Sequence, residues 1–133
     1  MDLMKLKNGS DVRGIALEGV ADEHVNLTEE ACNRIGQAFA LWLSKKCGKK
    51  TEELKIGIGR DARVTGPALL KATAEGMSST GAKIVDCGLA TTPAMFMSTV
   101  FEQTKFDGSA MLTASHLPFN RNGIKFFDVN GGL

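Results

Sequence analysis

The chain has 133 residues, 43% of them hydrophobic and 23% charged, with a formal net charge of +1. That size and balance suit one compact globular domain able to bury roughly two thirds of its unfolded surface. They exclude the concentrated basic excess that generic binding to nucleic acid or an anionic membrane requires, and no apolar run approaches the ~20 residues of a membrane helix. Cys32, Cys47 and Cys87 lie far apart. They form neither a disulfide framework nor a zinc pattern, so reduced, buried thiols in a soluble cytoplasmic protein are expected.

After an extended N-terminal segment, Thr28 predicts a helix N-cap, and Glu29 and Glu30 fall in the first turn, where carboxylates suit the helix dipole. Ala31, Ile35, Ala38, Phe39 and Trp42 recur at helical spacing and are expected on the buried face; Lys45, Lys46 and Gly48 end the helix near Cys47. Leu54 to Gly59 reads as a strand. Thr65-Gly66-Pro67 then opens a second helix with Thr65 as its cap, Leu69, Thr73 and Met77 as its inner stripe and Gly81 as its close. Ala82 to Gly88 is a further strand, and Thr92-Pro93 begins a third helix running to about Phe101. Met111 to Thr113 and Ile124 to Phe127 are two more strands, joined by a short segment without helical pattern in which Asn122-Gly123 reads as a hairpin-type turn. Strands separated by helices make parallel β-α-β units, and the short last connection makes the final pair antiparallel. The expected fold is an α/β, three-layer α/β/α sandwich with a mixed sheet.

In such sheets the chemistry collects at the carboxyl ends of the parallel strands. Those ends carry Arg60, Asp61 and Arg63 in one loop, Gly88 to Thr92 in another, and Ser115 with His116 in a third. A hydroxyl nucleophile beside an imidazole, together with guanidiniums suited to phosphate, points to phosphoryl chemistry. Each residue alone has an ordinary explanation. Serine is a common turn former, Arg60 could pair with Asp61, and Lys125 could be a solvated strand residue. The combination carries the reading.

The stretches "TASHLPFNRNGIKFF" (Thr113 to Phe127), "GSDVRG" (Gly9 to Gly14), "IGRDARVTGP" (Ile58 to Pro67) and "GLATTPAM" (Gly88 to Met95) together resemble the first domain of the α-D-phosphohexomutases, the phosphoglucomutase and phosphomannomutase superfamily. The resemblance covers essentially the whole chain, so residues 1–133 are expected to form one such domain. It implies a four-stranded sheet in order 2-1-3-4 with the last strand antiparallel. It also implies that Ser115 is a phosphoserine exchanging its phosphoryl group with hexose phosphates and a hexose bisphosphate. By similarity, His116 and Lys125 are candidates for proton transfer, and Arg13 and Arg60 for holding anionic groups. Mg²⁺ would be bound through the Ser115 phosphate, with its other ligands from a second domain.

Two departures stand out. Leu117 occupies the place of the family's usual Asn after the histidine, removing an amide from the edge of the site. Family members also have four domains, and no metal-binding Asp-Gly-Asp-type loop is present here, Asp61, Asp107 and Asp128 being scattered along the chain. The chain is therefore expected to be catalytically incomplete alone, and its interdomain face is a candidate surface for self-association. The competing classes are a non-catalytic α/β module that binds phosphate or a partner, and an unrelated doubly wound domain of the flavodoxin type.

Overall fold

The computed structural model describes residues 1–133. A 3-10 turn, Leu3–Leu6, leads into a hairpin of β1 (Lys7–Asn8) and β2 (Asp11–Ile15), turning at Gly9, whose φ of 62° suits a residue without a Cβ. The N-terminal segment is therefore part of the sheet: β2 pairs antiparallel with β6 (Arg121–Asp128), setting Val12 opposite Ile124 and Arg13 opposite Gly123. The apolar residues of β2, Val12 and Ile15, fall on opposite faces, and Ile15 shares its face with charged Asp11 and Arg13, so no apolar face announces a strand.

α1 (Glu29–Cys47) begins where Thr28 Oγ1 accepts from the Ala31 N–H at 3.0 Å, a cap worth about 1 kcal/mol. It ends at Gly48, whose left-handed backbone, φ 65°, returns its N–H to the Ser44 and Lys45 carbonyls. The buried face is Ala31, Cys32, Gly36, Phe39, Ala40 and Leu43, whereas Ala38 and Trp42, expected inside, are exposed. The rotation follows from how α1 meets α2 (Gly66–Ser78). A Cβ on Gly36 would collide with the Thr73 carbonyl, and one on Gly76 with the Asn33 carbonyl. Close backbone approach draws the Gly36 row inward and leaves Trp42 stacked on Phe39 at the margin. α2 buries Leu69, Thr73 and Met77, as its spacing predicts. Thr65, however, makes no cap bond to the helix; its hydroxyl accepts from the Asn122 side-chain amide at 2.9 Å.

β3 (Lys55–Arg60) pairs parallel with β4 (Lys83–Leu89) on one side and β5 (Gly108–Leu112) on the other, and β5 pairs antiparallel with β6. The sheet has seven strands where four were expected, in the order β1-β2-β6-β5-β3-β4, with β7 (Gly131–Gly132) also on β6. The N-terminal hairpin and β7 supply the additions. Ile56, Ile58, Ala110, Leu112, Ile124 and Phe126 join the core beneath α1 and α2, while the alternate residues Met111 and Phe127 pack on Met95 of α3 (Thr92–Met97). α3 stops short of Phe101. The Ser98 carbonyl accepts from Phe106 N and Thr104 Oγ1, turning the chain back toward β5.

Candidate active site

The loop after β5 runs from Thr113 to Asn120 and displays Ser115, exposed, with a φ of 56°. Left-handed backbone costs a residue with a Cβ about 1–2 kcal/mol, so neighbouring contacts must hold it. They do so from both sides. The Ser115 N–H donates to Thr113 Oγ1 at 3.0 Å, and that hydroxyl donates to Asp61 Oδ2 at 2.7 Å. The Ser115 carbonyl accepts from Arg63 Nη2 at 3.0 Å. The same guanidinium also donates to the carbonyls of Leu117 (2.8 Å), Pro118 (2.8 Å) and Arg121 (3.1 Å). Arg63 faces Asp61 through Nε at 3.5 Å and receives no other partner for that atom. A planar fork of fixed donors can tie several carbonyls together as no ammonium can. Arg63, which reads in sequence as suited to phosphate, is consumed in holding the serine loop.

A second tether fixes the far end of the loop. Asn120 Nδ2 and Arg121 Nη2 donate to Glu23 at 3.0 and 2.9 Å, and the Asn120 carbonyl accepts from Ala16 and Leu17. The Asn120 hydrogen bond, helped by the Arg121 charge and opposed by burial, holds the Glu23 carboxyl below the usual carboxylate range.

Asn122 and Gly123 are not the turn their dipeptide suggests; both lie within β6, opposite Gly14 and Arg13. Local turn preference gives way here to pairing with β2, and the Gly123 carbonyl also accepts from the Thr113 N–H. The absence of a side chain at Gly123 has another use: a Cβ there would come within 2.6 Å of Arg13 Nη1. Arg13 crosses the gap, and Nη1 donates to the Thr113 carbonyl at 2.8 Å. Arg13 Nη2 donates to Asp11 Oδ2 at 3.3 Å, and Lys125 Nζ donates to the same oxygen at 2.6 Å. Arg13 and Lys125 are thus brought together, and Arg13 is tied to the strand end that leads into Ser115.

The other candidates stand differently. His116 is exposed beside Ser115, and Leu117 is half-buried in the loop. Arg60 turns toward α2, against Gly66, donates only to the Asp61 carbonyl at 3.2 Å, and lines a cavity of about 510 Å³ with Lys71, Glu75 and Asp86. It does not join Arg13 and Lys125. Asp61 serves Thr113, Asp107 binds Lys49 and the Lys55 N–H, and Asp128 accepts from the Asn130 N–H. No group of three or more His, Cys, Asp or Glu side chains is arranged to hold a metal ion. No helix is long and apolar enough to cross a membrane. Of the thiols only Cys32 is buried; Cys47 is half-buried and Cys87 exposed, contrary to the expectation of three inert core cysteines. The Arg63 fork, the Asp61–Thr113 bond, the Glu23 tether and the Asp11 bridge escape sequence reasoning, because each joins residues with no local pattern in common. The nearest signal is Arg63 two residues after Asp61 in a strand-end loop.

Comparison with known proteins agrees with the fold and the motifs. Residues 4–133 match the family described as phosphoglucomutase/phosphomannomutase, alpha/beta/alpha domain I. A phosphoglucomutase/phosphomannomutase from Thermococcus kodakarensis is 39% identical over 115 residues, covering 86% of this chain and 24% of that protein. A phosphoglucosamine mutase from Pediococcus pentosaceus is 38% identical over 130 residues, covering 96% of this chain and 26% of that protein. A crystal structure of a phosphoglucomutase/phosphomannomutase family protein from Burkholderia thailandensis superposes with a TM-score of 0.68 at 25% identity, over 88% of this chain and 24% of that one. The chain spans about a quarter of the length of the curated relatives it matches. The match over nearly every residue, with these identities, means that the chain belongs to the phosphoglucomutase/phosphomannomutase family, as its α/β/α domain I.

Proposed function

We propose that this domain carries the phosphoserine of a phosphohexomutase, with Ser115 as the residue that gives a phosphoryl group to a hexose phosphate and takes one back from the resulting bisphosphate. The supporting observation is the serine loop itself. Ser115 is exposed at a strand end, in a left-handed conformation, with its N–H and its carbonyl both engaged. Phosphoryl transfer depends on positioning and on cations near the transferred group more than on covalent chemistry by the protein.

In the forward step a sugar hydroxyl oxygen bonds to phosphorus, the bond from phosphorus to Ser115 Oγ breaks, the hydroxyl proton passes to a neighbouring base, and the departing Ser115 Oγ takes up a proton from a neighbouring acid. Lys125 and His116 are the candidates for these two proton transfers, the Lys125 ammonium as the acid, and Arg13 is the candidate for orienting the phosphate. The reverse transfer, from the other phosphate of the bisphosphate, restores phosphoserine. Mg²⁺, when bound, would offset the charge of the phosphoryl group; on this chain only the Ser115 phosphate would reach it, since the carboxylates are dispersed. Taken alone, the domain is expected to bind Mg²⁺ weakly and to show no mutase turnover.

Incubation of the phosphohexomutase that carries this domain with a hexose 1,6-bisphosphate and Mg²⁺, followed by peptide mapping, tests the assignment. One phosphate on Ser115 is expected, with Ser115→Ala folded but inactive. Stable phosphate on another hydroxyl, with Ser115→Ala still turning over, would overturn it.

A further inference from the structure

Asp11 belongs to none of the roles above, yet it sits between two of the proposed site cations. Asp11 and Arg13 are two apart on β2 and so share a face of the sheet. The β2–β6 register sets Val12 opposite Ile124 and Arg13 opposite Gly123, and continuing it by one step sets Asp11 opposite Lys125. The side chains meet accordingly: one carboxylate oxygen, Asp11 Oδ2, accepts from Lys125 Nζ at 2.6 Å and from Arg13 Nη2 at 3.3 Å. All three are sheltered, with side-chain exposures of 25% for Asp11, 29% for Lys125 and 12% for Arg13.

Two cations this close repel each other, and a lysine has a long, flexible stem whose ammonium prefers full hydration. Arg13 is additionally fixed by the Val12 and Thr113 carbonyls, whereas Asp11 is the one hydrogen-bond partner of the Lys125 ammonium. Removing the carboxylate therefore leaves Arg13 anchored and Lys125 free to swing into solvent. We infer that Asp11 is a positioning residue: its carboxylate aims the Lys125 ammonium beside Arg13 and the strand end that bears Ser115. This role rests on the proposed phosphoryl transfer, because it matters only if Lys125 acts on the substrate.

The test uses Asp11→Asn, close in size but without the charge, in the phosphohexomutase that carries this domain. kcat should fall about tenfold or more with KM within about twofold, as expected when proton transfer and not substrate binding is disturbed. Asp11→Glu, keeping the charge, should recover part of the loss. The side-chain ¹⁵N signal of the Lys125 ammonium, slowed in exchange by its partner, should be visible in wild type and lost in Asp11→Asn at an unchanged melting temperature. An Asp11→Asn enzyme with wild-type kcat and a retained Lys125 signal, beside an inactive Lys125→Ala enzyme, would overturn the role alone. Wild-type turnover in Lys125→Ala would overturn Lys125's part in the transfer and this role with it, whereas Ser115→Ala still turning over would overturn the underlying function.

Discussion

Arg63 and Ser115 are joined through the main chain, not through their reactive ends: Nη2 of Arg63 lies 3.0 Å from the carbonyl oxygen of Ser115. The guanidinium spreads its remaining donors over Leu117, Pro118 and Arg121, so one side chain carries the curvature of the whole loop. Arg63→Lys keeps the charge but not the fork. It should lower stability by about 1–3 kcal/mol, the cost of leaving sheltered carbonyls without donors, and speed amide exchange between Ser115 and Arg121. Denaturant melts with hydrogen exchange resolved by residue check both. Unchanged exchange in that segment would show that the fork is dispensable.

The helix pair offers a test in which two effects oppose each other. Alanine is a better helix former than glycine by about 1 kcal/mol, so Gly36→Ala and Gly76→Ala would each stabilise an isolated helix. Here the added methyl would meet the Thr73 or Asn33 carbonyl, backbone that cannot step aside cheaply. Overpacking of this kind costs about 1–3 kcal/mol and should win. Both variants should therefore melt at lower temperature than wild type, and a rise in either would show that α1 and α2 separate freely.

The Glu23 tether is pH-dependent with a definite sign. Its carboxyl is held below the ordinary value mainly by the Asn120 hydrogen bond, so the folded state binds that proton less readily than the unfolded chain. The stabilisation is complete above the unfolded value near pH 4 and fades as pH falls through the lower folded value. Glu23→Gln should exchange faster than wild type at the Asn120 and Arg121 amides at pH 7, and the two should converge in strong acid. Equal exchange at pH 7 would remove the tether from the account.

The three thiols should react in order of exposure. Burial pushes Cys32 up to about 11, and the Thr73 hydrogen bond offsets this only in part; burial also raises Cys47 and Cys87. Only Cys87 is open to reagent, Cys47 being half-buried and Cys32 enclosed. Alkylation at pH 8 followed by mass spectrometry should label Cys87 first, Cys47 more slowly and Cys32 on unfolding. Early labelling of Cys32 would mean that the α1–α2 core opens locally.

What the sequence determines by itself is whatever a short stretch can encode. Thr28 and Gly48 bound α1, the Leu69–Thr73–Met77 spacing orients α2, and the run into Thr113 places Ser115 at a strand end. These signals act through neighbouring residues, and here no distant partner competes with them. The family resemblance is also legible in sequence, because its motifs are contiguous. Tertiary structure alone decides the rest. Asn122-Gly123 has the chemistry of a turn, yet β2 pairs with both residues and the Thr113 N–H donates to the Gly123 carbonyl. β2 has no apolar alternation and is recruited by the free edge of β6. Trp42 has the right period for the core but lies outside it, because two glycines let the helices approach on another face. Asp11 meets Lys125 across 114 residues of chain. Backbone pairing accepts almost any side chain and so leaves little trace in composition or period, which is why the site's contacts become visible only when distant strands are laid side by side.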